Sequence, residues 1–238
     1  GGPQRAIGED VVTAAIALAL NSPFGIAASY RYVQEGRYTD TIYLGAYRRD
    51  TIEQAGFFDE KFVRNQDYEF NYRVRQKVGK LFCAPDVELS YIGRPSLKSL
   101  WRQYWQFGFW KTRTIWKHPE SLKLRHLIAP AFVAGLGLSG VGLFFAPLRF
   151  LFPAILSLYL VANLAACLTQ FRNGPLKVVG LLPIIFGLIH LGWGSGFLWG
   201  GLTLLGSRSE RLKFGSTDNG ELRTSAPAVW NRSTDGHR

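Results

Sequence analysis

The 238-residue sequence predicts a mixed α/β soluble part followed by a membrane-embedded helical part. Two observations carry that division. Strand-like and helix-like patterns alternate through the first 95 residues, with charge of both signs throughout. Residues 126–205 then hold only Arg149, Arg172 and Lys177 as charged residues and include no acidic one. The resulting organisation is a soluble domain over 1–95, an amphipathic junction over 96–125, about three membrane spans over 126–206, and a polar tail over 207–238 expected to be disordered.

GGPQ at the start has the character of a strand end and its turn. EDVVTAAIALALN (9–21) predicts a helix, stopped by Asn21, Ser22 and Pro23. TDTIYLG (39–45) alternates as a short strand does, which predicts an extended segment over 38–45. Asp50 and Glu53 stand at capping-box spacing, with Gly56 as the stop of the helix between them. Residues 66–78 predict a helix closed by Gly79, and KLFCAPDVELSY (80–91) predicts short strands broken by Pro85. These strands are too few for a complete open sheet.

SLKSLWRQYWQFGFWKTRTIWK (96–117) differs from what precedes it. Leu97, Leu100, Trp101, Tyr104, Trp105, Gly108, Ile115 and Trp116 fall on one helical face, with Lys98, Arg102, Gln106, Arg113 and Lys117 on the other. Aromatic rings beside Lys and Arg suit the headgroup layer of a bilayer, and a buried amphipathic helix is the competing reading. Three apolar runs follow at 126–148, 150–168 and 176–206, each near the roughly 20 residues that cross about 30 Å of hydrocarbon. The spaced glycines 187, 192, 194, 196, 200 and 201 in the last run suit close helix packing. Basic residues from Arg113 to Arg125, with Arg172 and Lys177, place the soluble domain on the cytoplasmic side. Arg208, Arg211 and Lys213 disagree with a simple three-span path.

The formal charge of +11 suits an anionic partner, and beside so apolar a region lipid and lipid-linked phosphate are favoured over nucleic acid. Cys83 and Cys167 alone suggest neither a disulfide framework nor a cysteine metal site. The opening residues carry no signal-peptide pattern.

The chemistry concentrates in RNQDYEFNYRVR (64–75). Glu69 and Arg73 stand four residues apart on one helix face, so they can pair and leave Asp67 uncommitted. At the first turn of a helix a carboxylate is kept ionised by free amides and the dipole. An uncommitted carboxylate there is suited to taking a proton from a hydroxyl, while a purely structural acid is the competing reading. Asp59 and Glu60 read as turn residues rather than metal ligands, and His190 is a polar group inside an apolar span.

GGPQ (1–4), TIYLGAYRRDTIEQAGFFDE (41–60), RNQDYEFNYRVR (64–75) and RPSLKSLWRQYWQFGFWK (94–111), in that order, resemble inverting family-2 glycosyltransferases with a membrane tail. Among these, bacterial exopolysaccharide enzymes of the succinoglycan type are the nearest in pattern. The resemblance covers residues 1 to about 205. It implies an α/β fold made of the C-terminal half of a GT-A domain followed by transmembrane helices, with the chain truncated at its N-terminal side.

The implied reaction moves a sugar from a nucleotide-diphospho-sugar to a polyprenyl-diphosphate-linked saccharide. Asp67 is the implied catalytic base, and Gln66, Arg48, Tyr43, Gln103 and Trp105 are candidate substrate-binding residues. The family uses a divalent cation, Mg2+ or Mn2+, held through an Asp-x-Asp motif, and no Asp-x-Asp occurs in this chain. Processive relatives carry Gln-x-x-Arg-Trp near the membrane. Here Gln103 matches, while Gln106 and Phe107 replace the Arg and the Trp.

The implied location is the bacterial plasma membrane, multi-pass, with the catalytic domain cytoplasmic, in contact with lipid and with polysaccharide assembly proteins. A non-catalytic membrane partner of such an assembly is the alternative, and a small channel or transporter piece is a weaker one.

Overall fold

The structure, a computed structural model, describes residues 1–26, 28–145 and 147–215. Strand β1 (Gln4–Ile7) leads into α1 (Val11–Leu20), whose N-terminus is closed by a capping box between Asp10 and Thr13. Asn21 ends α1 and uses its side-chain amide as a strand would. It accepts from the Ala6 N–H and donates to the Ala6 carbonyl, both at 2.8 Å.

A 3-10 turn (Ser29–Tyr32) precedes β2 (Arg37–Thr39), α2 (Arg49–Ala55), α3 (Gln66–Lys77), β3 (Leu81–Cys83) and β4 (Leu89–Ile92). β1 pairs parallel with β4, and β2 pairs antiparallel with β3. Among the described residues the strands form two two-stranded sheets, so the fold is mixed α/β without the open sheet of a complete GT-A domain.

Two local expectations are corrected. The strand predicted to reach Gly45 ends at Thr39, and beyond it only Tyr43 forms a bridge, with Gly2. Leu44 turns the chain out of register at φ 45°, a conformation that a strand does not tolerate. The capping box at Asp50 is absent: Arg48 occupies the N-cap, and Asp50 lies inside the helix, accepting from the Thr51 N–H at 2.8 Å. Gly56 stops α2 as predicted, at φ 81°.

The long helix α4 (Leu97–Lys117) follows, capped by Ser96, and then α5 (Arg125–Gly142), α6 (Leu151–Thr169), the single turn α7 (Leu176–Val179), α8 (Leu182–Gly206) and α9 (Arg208–Phe214). Two helical segments, Leu151–Thr169 and Leu176–Gly206, are long and apolar enough to cross a membrane. The first predicted span forms the shorter α5, which contains Pro130. The tail expectation is corrected over residues 208–214. These residues are helical, with Phe214 buried against Phe62 and Trp110. The rest of that tail, 216–238, lies outside the described residues.

The glycines explain why α4 and α8 pack as they do. They run parallel in one register. A Cβ at Gly196 would lie 2.0 Å from the Trp105 carbonyl oxygen, and one at Gly200 would lie 2.8 Å from that of Phe109. Gly108 reciprocates from α4, where a Cβ would meet the Trp193 carbonyl oxygen at 2.1 Å. Backbone therefore rests on backbone along the seam. Gly194 faces the other way, against Ala129 and Val133 of α5, while Gly187 and Gly201 meet nothing within 4 Å. The amphipathic reading of α4 changes accordingly. Arg113 is buried because α8 covers that face of α4, whereas Lys111 is buried on the side that meets Tyr68 of α3.

His190 is explained as a tether. Its Nε2 lies 2.8 Å from the Phe24 carbonyl oxygen, which only accepts, so Nε2 carries the proton and Nδ1 accepts from the Tyr159 hydroxyl at 3.0 Å.

The seam makes a differential prediction. Gly196→Ala pushes the helices apart and lowers stability by about 1–3 kcal/mol, whereas Gly187→Ala, in open space, raises it by up to about 1 kcal/mol. Thermal unfolding in detergent reads both, and equal behaviour of the two variants would exclude the seam as described.

Candidate functional site

The site begins at the first turn of α3. Asn65 takes the left-handed conformation, φ 62°, and its amide donates to the Phe107 carbonyl at 3.2 Å, fixing the start of α3 to α4. Asp67 and Glu69 are then two residues apart, about 200° around the helix, so they face opposite ways.

Glu69 points inward and is fully buried. Arg73 binds it through Nε at 2.9 Å, Lys117 through Nζ at 3.1 Å, and His118 through Nε2 at 2.9 Å. Arg73 also donates to the Ala55, Gly56 and Phe57 carbonyls, and Lys117 also binds Asp59 at 2.7 Å. One carboxylate thus joins the end of α2, α3 and the end of α4. Burial pushes the Glu69 carboxyl up, but hydrogen bonds from His118 and Arg73 and the charges of Arg73 and Lys117 outweigh it and bring it down to about 2.

Asp67 stays accessible to solvent and accepts from the Tyr68 N–H at 2.8 Å, with no ion pair among the described residues. Protein crowds its remaining sides. Burial raises its carboxyl above the ordinary range, opposed by the backbone amides and by the Lys111 charge. The helix terminus was expected to hold Asp67 readily ionised, but desolvation outweighs it. The phenols of Tyr30, Tyr43 and Tyr47 are close enough that the Asp67 charge disfavours their ionisation. Two neighbouring carboxyls are thereby pushed in opposite directions, the arrangement expected where one is structural and the other handles protons.

Tyr43 is positioned by Asn71. This fully buried amide donates to Thr41 Oγ1 at 2.9 Å and the Ile42 carbonyl at 3.0 Å, and accepts from the Tyr47 hydroxyl. Tyr43 packs edge-on against Tyr91, whose hydroxyl accepts from Gln103 Nε2 at 2.9 Å. The structure therefore brings Asp67, Tyr43 and Gln103 to one side of the domain, with Gln66 exposed beside Asp67 at the first position of α3.

Arg48 and Trp105 stand apart. Arg48 is an exposed side chain 3.7 Å from Asp50, at the rim of a cavity of about 380 Å³ that Asp67 does not line. Trp105 stacks on Phe109, with its backbone against Gly196 of α8.

Lys111 is the residue that the sequence did not reveal. It is only 2 % exposed, and its Nζ sits 3.1 Å from the centroid of the Tyr68 ring. Burial, then Arg125, pushes its pKa well below the lysine range. A lysine at the end of an aromatic run carries no signal of burial, because the Tyr68 ring that covers it belongs to α3, a separate element. Nearby, Asp40 joins Lys123, at 2.7 Å, and Arg125 to the domain.

Among the described residues no group of three or more His, Cys, Asp or Glu side chains is arranged to hold a metal ion. The described residues therefore do not fit the divalent cation that the family resemblance implies.

Comparison with known proteins finds distant similarity to proteins of glycosyltransferase type. Over 200 residues the chain is 26% identical to the succinoglycan biosynthesis protein ExoA of Rhizobium meliloti, covering 81% of this chain and 58% of the relative. Over 109 residues it is 28% identical to the dolichyl N-acetyl-alpha-D-glucosaminyl phosphate 3-beta-D-2,3-diacetamido-2,3-dideoxy-beta-D-glucuronosyltransferase of Methanococcus voltae, covering 45% of this chain and 34% of the relative. The aligned stretches thus span between about a third and somewhat over half of these relatives' lengths. No family model and no solved structure matches the chain.

The two carboxyls separate in a stability measurement. Glu69→Gln leaves Arg73 and Lys117 short of a buried counter-charge and costs about 3–5 kcal/mol. Asp67→Asn costs no more than about 0.5 kcal/mol. Because the folded pKa of Glu69 lies below its ordinary 4.5, its contribution is complete above that pH and is lost as pH falls through about 2. Thermal unfolding across pH reads this, and an acid limb unchanged in Glu69→Gln would remove Glu69 as its source.

Proposed function

We propose that this chain is the acceptor-side part of an inverting, GT-A-type glycosyltransferase. In this reading the complete protein transfers a sugar from a nucleotide-diphospho-sugar to a polyprenyl-diphosphate-linked saccharide at the cytoplasmic face of a bacterial plasma membrane, within extracellular polysaccharide synthesis. The observation that carries it is the contrast between two carboxyls on one helix: Glu69 consumed by Arg73, Lys117 and His118, and Asp67 accessible, without an ion pair and raised in pKa.

Asp67 takes the proton of an acceptor hydroxyl. The oxygen left with the electron pair forms the new bond to the anomeric carbon, and the bond from that carbon to the diphosphate oxygen breaks on the opposite face, the pair leaving with the nucleoside diphosphate. A base whose pKa is raised toward the working pH suits that transfer. One carboxylate suffices, unlike the carboxyl pair of a glycosidase. Gln66, Tyr43 and Gln103 orient the acceptor around Asp67. Arg48 and Trp105 serve the edges of the substrate path. Since the described residues do not fit a divalent cation, no step is assigned to one. The competing reading is a non-catalytic membrane partner of a polysaccharide assembly.

In the complete protein, Asp67→Asn lowers transfer by about 10²- to 10⁴-fold with donor binding retained. The wild-type rate rises with pH through an ionisation above 3.8, and the variant loses that limb. Wild-type transfer by the variant would remove Asp67 as base. Failure of the unmutated complete protein to consume any nucleotide sugar would favour the non-catalytic reading.

A further inference from the structure

By length and hydropathy α8 qualifies as a membrane span. Its surroundings say otherwise, because the soluble part of the chain holds both of its ends. At the N-terminal end, Leu182, Ile185 and Phe186 share one buried cluster with Ile16, Ala19 and Leu20 of α1. Phe186 meets the ring of Phe24 at 5.0 Å, and His190 binds the Phe24 carbonyl. At the C-terminal end, Thr203 accepts from Arg113 of α4 at 2.9 Å, and Glu210 of α9 pairs with the same guanidinium at 3.1 Å. Phe214 then packs on Phe62, in the loop before α3, at 5.3 Å between centroids.

Twenty-five residues of helix extend about 37 Å. A helix crossing about 30 Å of hydrocarbon has its ends in two compartments and cannot rest both of them on a domain that occupies one.

We infer that α8 lies in the plane of the membrane interface beside α4, and that the hairpin of α5 and α6 is the part that crosses. The faces of α8 agree. Gly192, Gly196, Gly200 and Leu204 are buried toward α4, while Ile184, Trp199, Leu202 and Leu205 form an exposed apolar stripe on the other side. This is the pattern of a helix with protein above it and acyl chains below.

α6, by contrast, is exposed to its surroundings over almost its whole circumference. The hairpin touches α8 from its base to its middle, through Ala129 and Val133 against Gly194, Tyr159 against His190, and Asn163, which donates to the Pro183 carbonyl at 3.1 Å. The tip beyond it exposes Phe144, Phe145 and Phe150. With 18 and 19 residues, α5 and α6 each reach about 27–28 Å, near the hydrocarbon thickness.

Charge supports the same placement and removes a conflict in the sequence. Lys123, Arg125, Arg172, Lys177, Arg208, Arg211 and Lys213 all fall on the side of the soluble domain, and Arg149 alone sits at the tip. A path with three crossings would put the last three of the seven on the far side.

The test is the labelling of single cysteines by a membrane-impermeant maleimide in sealed vesicles of each orientation, with the full chain. Native Cys83 and Cys167 are buried and serve as the unlabelled background. Lys61→Cys, Arg172→Cys, Ser209→Cys and Arg149→Cys all alter exposed positions. The expected result is that 61, 172 and 209 react from one face and 149 from the other. Labelling of 209 from the face opposite 61 would make α8 a span, and labelling of all four from one face would show that the hairpin does not cross. Either result overturns the inference, and neither bears on whether Asp67 is a base.

Discussion

The close approach of α4 to α8 is the constraint from which the arrangement of this chain follows. Helix axes come this near only where side chains are missing, and here Gly108, Gly196 and Gly200 supply the gaps at one register. Once α8 is seated, Arg113 is carried into the interior, while Lys111 on the other side of α4 is covered by Tyr68. α4 then serves as the structural axis between the two parts of the molecule. Asn65 fixes α3 to it through Phe107, and Lys117 and His118 at its end reach Glu69. The apolar region is therefore a scaffold for the candidate site as well as an attachment to lipid.

That scaffold makes possible the division between the two acids of α3. A buried carboxylate is stable only with its charge compensated, and Glu69 has three partners, Arg73 on α3 itself and Lys117 and His118 at the end of α4. Arg73, Lys117 and His118 are engaged by Glu69 on the inner side of α3, while the cation whose charge Asp67 does feel, Lys111, sits over the Tyr68 ring and makes no ion pair with it. The tyrosines beside Asp67 add crowding without positive charge, which is why its pKa moves up while that of Glu69 moves down.

How much of this was legible depended on range. The i,i+4 pairing of Glu69 with Arg73 follows from helix geometry alone, and the structure contains it. The glycine spacing in the last apolar run signalled close packing, and the register with α4 is what the structure adds. The arrival of Lys117 and His118 at Glu69 had no local signature, because the partners are separated by about 50 residues of chain. The same holds for Lys111, which is covered by Tyr68 of α3, and for Phe214, which looked like part of a polar tail until Phe62 and Trp110 were placed against it. The capping box failed at Asp50 for a different reason. Helix α2 begins at Arg49, two residues earlier than the motif requires, so Asp50 cannot occupy the cap.

Arg113 shows why an apolar seam carries a charge at all. A guanidinium in such a place costs desolvation free energy, and it persists here because its planar fork meets acceptors from several elements. Nη1 donates to the carbonyls of Phe109 and Gly200 and to Thr112, and Nη2 donates to Thr203 and Glu210. Its plane lies over the Phe109 ring at 3.6 Å, leaving Nε without a partner. Lysine would offer its donors from a single point, whereas the fork reaches Gly200 through Nη1 and Thr203 and Glu210 through Nη2. Because those three partners span α8 and α9, sliding α8 by one turn would strip the guanidinium of most of them at once. Apolar contacts alone would tolerate such a slip, since Leu, Ile and Gly recur along α8. Arg113 therefore selects the register in which Gly196 meets Trp105, and with it the geometry that delivers Lys117 and His118 to Glu69.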